Sequence, residues 1–376
     1  MTLVIDAGRD GPRVHLLAIG VGAYRHLPGG ADPVPHDTFG LRQLTGPPHA
    51  AMAFTDFVVS GLNHPGARLG TVEVLLSPPA EHVDPVEGEI RVGVPNLANT
   101  IAAFEAWYER CDSHEGNVAL FYFCGHGVQK ESPYLLLEDF GQSRLAMMRN
   151  SVDIMATYTG MAACQARSQY FFVDACREIP QQFLENLGGA GHVLKDPEVV
   201  SDDRDGALLF GASGGHKAYG RPGQATRFTE ALIRSLEGLG ARPDNGRWVV
   251  DFPGLQRAVT TVLRLGDPAA PVQRPQSFGA VGDGIVQVCA QPPYVPLRVS
   301  CWPPEAVGRP GTTVLLESLS QAAEPVTPTA RDGGWDADVR ADMYRLAVQA
   351  GPPYRGAVAQ VGAWPPWATA EVSVAP

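Results

Sequence analysis

Cys176 and His126 each follow an apolar run of the chain, and together they can do nucleophilic chemistry. The runs are residues 118–124 and 168–173. A thiol with an ordinary pKa of ~8.5 is only a few per cent ionised at neutral pH, so a nucleophilic cysteine needs a neighbouring base. Imidazole is the side chain that accepts such a proton near neutral pH. Cys176 is therefore the candidate nucleophile and His126 the candidate base.

Both runs have the composition of strands that are buried on two faces. Residues 118–124 and 168–173 are almost entirely apolar, with β-branched and aromatic members. Such runs are typical of parallel strands covered by helices on both sides. Open α/β sheets place their ligands at the carboxyl ends of these strands. The sequence therefore predicts that His126 and Cys176 meet at one edge of a parallel sheet.

Glycines on both sides of His126 allow a sharp turn there and leave room for a substrate carbonyl beside the amide of Gly127. That amide and the amide of Cys176 are predicted to form an oxyanion hole, which would stabilise a tetrahedral intermediate. The alternative is that Cys176 is an ordinary buried thiol and His126 an ordinary loop histidine. Either residue alone fits this alternative, whereas the pair, each at a strand end, favours catalysis.

The composition limits the classes of function that fit. The chain has 376 residues, of which 44% are hydrophobic, and a net charge of −11 with no basic run. Binding to nucleic acid is therefore not expected. No window reaches the ~18 apolar residues of a membrane helix, and no secretory signal is recognised, so no membrane association is expected. The six cysteines form no CxxC pair or metal-ligand spacing. This predicts no metal or cofactor and a reducing, cytoplasmic location.

Strands and helices are predicted to alternate over residues 1–290, which specifies a doubly wound α/β domain. Strands are expected near residues 14–21, 72–76, 118–124, 134–137, 168–173, 207–210, 248–250 and 284–288. Helices are expected near residues 49–62, 97–108, 151–164, 228–238 and 254–265, the second of them capped by Asn96. Residues 291–376 contain short runs with turn signals and no convincing helix, which predicts a separate, small all-β, sandwich-like domain.

Residues 1–290 resemble the caspase-like cysteine peptidases, the clan of caspases, metacaspases and paracaspases, in their bacterial form. The resemblance rests on the His and Cys motifs, 50 residues apart as in caspases, and on further segments at 18–24, 134–139, 211–219 and 273–276. It implies a caspase-like, mostly parallel sheet with helices on both faces. It also implies an endopeptidase with a Cys-His dyad that cuts protein substrates. Bacterial members are associated with regulated cell death or defence, which implies latency and an upstream activating protease or signalling partner.

The position of Asp174, two residues before Cys176, resembles the carboxylate of family members that cut after Arg or Lys. A carboxylate in a pocket favours a basic side chain through a charge-assisted contact, so cleavage after Arg or Lys is predicted. Ser213 is a further predicted substrate-binding residue. Two alternatives stay open: either Asp174 only caps the following turn, or Arg42 and Arg221, near the positions of caspase arginines that bind substrate Asp, set an Asp specificity.

The segment 186–206 is rich in glycine and acidic residues, and it lies where caspases are processed between their two subunits. Mobile glycine-rich loops are preferred cleavage sites. Lys195 and Arg204 within it are predicted to be sites of processing or autoinhibition; the alternative is an ordinary surface loop.

Two other classes of protein share these motifs. One is a catalytically inactive, caspase-like binding module, against which the intact His and Cys motifs argue. The other is a cysteine acyltransferase with the same dyad, for which no thioester or pantetheine site is evident in the sequence.

Overall fold

The structure of the chain is a computed structural model. It describes every residue except 1, 9, 80, 85–87, 130, 178–203, 214–222, 266–271, 280–283, 322 and 376, and it describes only the backbone of 81–84 and 88–91.

The helices and strands follow one another in chain order. The α-helices are α1 (Gly46–Ser60), α2 (Leu97–Cys111), α3 (Ile154–Gly160), α4 (Arg227–Arg234) and α5 (Phe252–Leu265). Short 3-10 helices span Met147–Asn150, Met161–Ala163 and Pro304–Ala306, and a π-helix spans Ser235–Leu239. The strands up to the end of the main sheet are β1 (Leu3–Asp6), β2 (Arg13–Val21), β3 (Arg68–Ser77), β4 (Glu81–Asp84), β5 (Gly88–Arg91), β6 (Val118–Gly125), β7 (Gly127–Gln129), β8 (Pro133–Leu136), β9 (Ser151–Asp153), β10 (Ser168–Ala175), β11 (Asp205–Phe210), β12 (Ala241–Asp244), β13 (Arg247–Asp251) and β14 (Gln276–Phe278). The remaining strands are β15 (Ile285–Cys289), β16 (Tyr294–Trp302), β17 (Thr313–Ser318), β18 (Thr329–Arg331), β19 (Gly334–Arg340), β20 (Asp342–Gln349), β21 (Ala357–Ala363) and β22 (Ala368–Ser373).

The main sheet is mostly parallel, as the sequence predicts. Its order is β1-β3-β2-β6-β10-β11-β14. The five strands from β3 to β11 pair in parallel, and the two edge strands β1 and β14 are antiparallel to their neighbours. The parallel strands are almost completely buried, which explains why their sequences are continuous apolar runs.

Helices cover both faces of this sheet. Trp107 of α2 packs on one face, with its ring 6.3 Å from that of Phe121 and 6.1 Å from that of Phe171. Phe54 of α1 packs on the other face, stacked at 4.7 Å on Tyr122. Because side chains alternate along a strand, neighbours such as Phe121 and Tyr122 belong to different layers. The predicted three-layer α/β architecture is confirmed.

Two helix starts show how local chemistry sets the boundaries. Asn96 caps α2 as predicted, since its side-chain oxygen accepts the N–H of Asn99 at 2.9 Å. The predicted helix at 151–164 begins later, because Asp153 is its cap and accepts the N–H of Ala156 at 3.0 Å. The residues before this cap are extended and form β9, which pairs with β8.

The last strand of the main sheet is not the predicted one. The strand expected at 284–288 is present as β15, but it belongs to a three-stranded sheet with β12 and β13. The edge of the main sheet is instead β14, antiparallel to β11. Three residues between a proline and a glycine carry no periodic signal, so sequence patterns miss a strand this short.

Backbone contacts divide the chain into two units. Unit 1 is Met1–Ile233 with Asp267–Ile285, and unit 2 is Arg234–Gly266 with Val286–Pro376. This division differs from the expected boundary at residue 291, because Trp248 on β13 packs against the core of the C-terminal strands and stacks on Trp364 at 6.1 Å. The predicted β-rich C-terminal region is present. Its sheets are β18-β19-β16-β22 and β17-β20-β21, with one shared apolar core.

A buried ion pair fixes α2 to β3 within unit 1. A guanidinium nitrogen of Arg110 lies 2.5 Å from a carboxylate oxygen of Glu73, and the two side chains are 8% and 2% exposed. Burial raises the pKa of Glu73, and the nearby Arg110 opposes that rise. An exposed pair in the same unit, Arg167 with Glu115 at 3.3 Å, is 75% and 69% exposed.

These two pairs give a matched test of stability. We expect Arg110→Met to lower the free energy of unfolding by about 3–5 kcal/mol, because it leaves a buried carboxylate without its cation. Arg167→Met should cost less than about 1 kcal/mol, because water already screens that pair. Urea denaturation followed by circular dichroism measures both. Equal losses in the two variants would contradict the assignment.

Candidate active site

The ends of β6 and β10 lie side by side. Gly125 is opposite Ala175 in the parallel ladder, so His126 and Cys176 are each the next residue at the same edge of the sheet. Both residues are half-buried. The structure thus brings the two motifs together at the carboxyl ends of neighbouring parallel strands, where α/β folds place their ligands.

Gly127 brings the segment after His126 against the backbone of Cys176. A Cβ atom at this position would lie 2.7 Å from the carbonyl oxygen of Cys176 and 2.9 Å from the Cβ of Ala175. Atoms that are not bonded do not approach this closely, so a larger residue would force the two segments apart. Glycine is required here because the two backbones nearly touch.

Two hydrogen bonds hold His126. Its backbone N–H donates to the hydroxyl of Tyr24 at 2.6 Å, and the two rings pack with centroids 4.9 Å apart. Its ring nitrogen Nε2 lies 2.6 Å from the backbone carbonyl oxygen of Arg42. Tyr24 is fully buried. The imidazole is therefore fixed at its backbone, its face and one nitrogen.

The bond to Arg42 decides which nitrogen of His126 can act as a base. A carbonyl oxygen only accepts, so Nε2 must carry the proton and donate it. In the neutral ring Nδ1 is then the free acceptor. Burial lowers the pKa of His126, although the carbonyl of Arg42 partly opposes this. The neutral, proton-accepting form is thus favoured at neutral pH.

Of the two cysteines at the ends of β6 and β10, Cys176 is half-buried and Cys124 is buried. Cys124, which precedes Gly125 at the end of β6, is 2% exposed, and burial raises its pKa well above its ordinary value. A fully buried thiol of raised pKa does not supply a nucleophile. Cys124 therefore belongs to the core.

Asp174 is buried beside the start of α4. It is 2% exposed, and one of its oxygens accepts hydrogen bonds from the hydroxyls of Thr226 and Thr229, the latter at 2.9 Å. Its other oxygen, Oδ1, has no hydrogen-bond partner among the described residues, and it lies 3.1 Å from where a Cβ of Gly211 would be. Burial raises the pKa of Asp174 to about 6. The described contacts do not include the turn cap that was the alternative for Asp174.

A family model of the caspase domain matches residues 17–256, which is more than half of the chain. The chain belongs to the caspase domain family. The matched residues include both motifs of the candidate site and the whole of the loop that carries Tyr24 and Arg42. The caspase domain of this chain is therefore a cysteine peptidase domain by family, and its predicted resemblance is confirmed.

Curated relatives are distant. An uncharacterized protein of Sinorhizobium fredii is 27% identical over 271 residues, which are 69% of this chain and 72% of that protein. A probable protease of a Desulfuromonadales bacterium is 24% identical over 232 residues, 56% of this chain but only 27% of that longer protein. Among solved structures, caspase-1 of Spodoptera frugiperda aligns with 15% identity and a TM-score of 0.43, over 77% of this chain and 96% of that one.

Arg177 connects three parts of unit 1 that are far apart in the sequence. Its guanidinium donates to the side-chain oxygen of Gln129 through two nitrogens, at 2.9 and 2.7 Å, and to that of Gln276 at 2.8 Å. It also lies 4.4 Å from the ring centroid of Phe210. Arg177 is 6% exposed, and burial lowers its pKa. Because Gln129 follows His126 closely and Arg177 follows Cys176, this side chain links the two segments that carry the candidate dyad. The sequence feature that could have identified Arg177 as a site residue is its position directly after Cys176.

The other predicted site residues have mixed outcomes. Arg42 reaches the site through its backbone carbonyl, while its side chain is exposed. Ser213 is placed near Arg274, whose carbonyl oxygen accepts its hydroxyl at 2.8 Å. Arg221 and Lys195 lie outside the described residues.

Arg204 does not lie on an exposed loop. It is 9% exposed, and one nitrogen donates to the carbonyl of Tyr158 at 2.8 Å and to the side chain of Gln169 at 2.9 Å. Its guanidinium also stacks over the Tyr158 ring at 4.5 Å. A protease must extract the residue it cuts after, so the buried position contradicts the prediction of Arg204 as a processing site.

Within the described part of the chain, the helices are all too short or too polar to span a bilayer. The same described residues contain no cluster of three His, Cys, Asp or Glu side chains that could hold a metal ion.

The raised pKa of Asp174 predicts a dependence of stability on pH. The ordinary value is 3.8 and the folded value is about 6, so the folded protein binds this proton more tightly than the unfolded chain. The contribution is therefore present at low pH and is lost as the pH rises through about 6. A difference of about two units corresponds to at most about 3 kcal/mol.

The measurement is the free energy of unfolding at about pH 5 and about pH 8, in the wild type and in Asp174→Asn. The wild type should lose more stability than the variant as the pH rises, because only the wild type must bury a carboxylate. The comparison cancels the opposite contribution of His126, whose pKa is lowered. Identical pH slopes in the two proteins would show that Asp174 does not titrate as described.

Proposed function

We propose that this caspase-domain protein is a cysteine endopeptidase with Cys176 as nucleophile and His126 as general base. The observation that carries the proposal is the hydrogen bond from Nε2 of His126 to the carbonyl of Arg42. It leaves Nδ1 as the acceptor in a neutral ring at the strand end beside Cys176. The close approach of Gly127 to the Cys176 backbone supports it, because the predicted oxyanion hole needs both amides near one oxygen.

In the proposed reaction, Nδ1 of His126 takes the thiol proton and Sγ of Cys176 bonds to the carbonyl carbon of the substrate. The carbonyl oxygen becomes negative, and the N–H groups of Gly127 and Cys176 stabilise it. The C–N bond then breaks, the imidazolium gives its proton to the leaving amine, and a thioester remains. Water attacks the thioester, His126 takes a proton from that water, and the proton returns to Sγ as the carboxylic acid leaves.

We propose that the enzyme cuts after Arg or Lys. The support is the buried carboxylate of Asp174, whose Oδ1 has no hydrogen-bond partner among the described residues. A substrate guanidinium could supply the missing partner, and the cation would favour the ionised carboxylate. The other candidate is cleavage after Asp, with Arg42 and Arg221 as ligands. Arg42 lies at the candidate site, because its carbonyl contacts His126. The experiment must therefore distinguish cleavage after Arg or Lys from cleavage after Asp.

We further propose that the enzyme acts on protein substrates in the cytoplasm, in a regulated cell-death or defence response. The six cysteines, all of them among the described residues, form no disulfide, which suits a reducing compartment; recovery of active enzyme only from an oxidising compartment would refute this location. Latency is proposed to end when an upstream protease or the enzyme itself cuts at Lys195. If Lys195→Ala gains activity as fast as the wild type, with no processed fragment in either, processing at this residue is not the switch.

The dyad is tested by removing each member. Cys176→Ala and His126→Ala should each lose nearly all peptide hydrolysis, because the members of a dyad act as a unit. Cys124→Ala is the matched control, and it should retain most of its activity, since that thiol is buried. A peptidyl-arginine chloromethyl ketone should label Cys176 in the wild type, detected by mass spectrometry. Hydrolysis at the wild-type rate in Cys176→Ala would end the proposal.

The specificity is tested with paired peptides that carry Arg or its neutral isostere citrulline before the scissile bond. The wild type should prefer Arg by about 10- to 150-fold in kcat/KM, the value of one charge-assisted contact of about 1.5–3 kcal/mol. Asp174→Asn should bring the ratio close to one. In the wild type the ratio should also fall as the pH drops below about 6, because Asp174 becomes protonated.

Other outcomes of this experiment are equally informative. An equal loss on both peptides in Asp174→Asn would make Asp174 a structural residue. Cleavage after Asp in a peptide library would refute basic specificity and point to Arg42 and Arg221.

A further inference from the structure

The loop between β2 and α1 contacts His126 at two points that are far apart in sequence. Near its start, the hydroxyl of Tyr24 accepts the backbone N–H of His126 at 2.6 Å. Near its end, the carbonyl of Arg42 lies 2.6 Å from Nε2 of the same residue. The imidazole is therefore held between two parts of one loop, and its geometry depends on how those parts are joined.

The side chain of Gln43 joins them. Its oxygen accepts the backbone N–H of Tyr24 at 2.6 Å, and its nitrogen donates to the backbone carbonyl of Tyr24 at 2.9 Å. The same nitrogen lies 3.2 Å from the carbonyl of Pro28 and 3.4 Å from that of Leu27. An amide suits this position because its acceptor oxygen and its two-hydrogen donor nitrogen are separate atoms at the same end of the side chain.

The contacts close a ring that runs from Tyr24 to His126, from His126 to Arg42, and through Gln43 back to Tyr24. Arg42 and Gln43 are adjacent, so the amide that fixes Gln43 also fixes the direction of the Arg42 carbonyl. We propose that Gln43 is a positioning residue that sets the tautomer of His126, by holding the Arg42 carbonyl against Nε2 so that Nδ1 remains the base. This inference rests on the proposed role of His126.

The rest of the loop has its own anchors, which makes the effect of Gln43 separable from folding. The N–H of Leu44 donates to the carbonyl of Gly22 at 2.8 Å. His36 binds the carbonyl of Gly141 at 3.0 Å in the middle of the loop. Removal of the Gln43 side chain should therefore loosen the Arg42 carbonyl while the loop keeps its course. His36→Ala is a matched control, because it removes a side-chain bond from the same loop outside the ring of contacts.

The experiment compares wild type, Gln43→Ala, Gln43→Glu and His36→Ala in the full chain. We expect Gln43→Ala to lower kcat by about 10- to 100-fold with little change in KM, since a misplacement of about 1 Å costs up to about 100-fold. Gln43→Glu should be at least as impaired, because it keeps the acceptor but turns a carboxylate oxygen toward three carbonyls. If Gln43→Ala does not fold, Gln43→Glu provides the test, because its side chain has nearly the same shape as that of the wild type. His36→Ala should stay within about threefold of the wild type.

A second readout reports on His126 directly. The ¹⁵N chemical shifts of its ring should show protonated Nε2 in the wild type and a mixed or reversed tautomer in Gln43→Ala. The inference is overturned if Gln43→Ala keeps the wild-type shifts and rate, or if it and His36→Ala lose activity equally with unchanged shifts. Failure of the dyad proposal is a different result, because it would appear as undiminished hydrolysis in Cys176→Ala. The Gln43 inference can be tested separately, since the tautomer of His126 can be measured in a protein without activity.

Discussion

The parallel pairing of β6 with β10 sets the separation of the thiol and the imidazole, and the rest of the candidate site depends on it. The register is fixed well below the site, where Phe121 stacks on Phe171 at 5.1 Å within the core under α2. A slip of one residue would turn every one of these side chains to the opposite face of the sheet. The relative position of Cys176 and His126 is therefore a consequence of core packing.

Asp174 shows the opposite relation, in which a candidate site works against the stability of the fold. Burial makes its charge costly, and the hydroxyls of Thr226 and Thr229 only partly compensate. An apolar residue at position 174 would make the folded protein more stable, since the neighbouring residues of β10 are apolar and buried. A residue that lowers the stability of the fold is expected where function requires that residue. A cationic substrate would resolve the conflict by supplying the counter-charge.

Residues whose role follows from strand position could be predicted from the sequence. The buried runs, the places of His126 and Cys176 and the cap at Asn96 all depend on signals within a few residues. The role of Gln43 could not be predicted, because its partner in the chemistry lies 83 positions away and the contact is made by the backbone of its neighbour. The short edge strand β14 and the inclusion of 234–266 in unit 2 likewise depend on pairings between distant segments, which periodicity does not encode.

Neutral amides support the two segments that carry the candidate dyad. Gln43 fixes the segment that orients His126, while Gln129 and Gln276 hold Arg177 beside Cys176. A carboxylate in any of these positions would favour the imidazolium and disfavour the thiolate, since opposite charges stabilise each other and like charges repel at short range in a partly buried site. An amide gives the same directional hydrogen bonds with no net charge. The guanidinium of Arg177 has no carboxylate partner among the described residues, so the two amides that bind it leave its positive charge in place. These amide supports therefore add no negative charge of their own to the two segments that carry the candidate base and the candidate nucleophile.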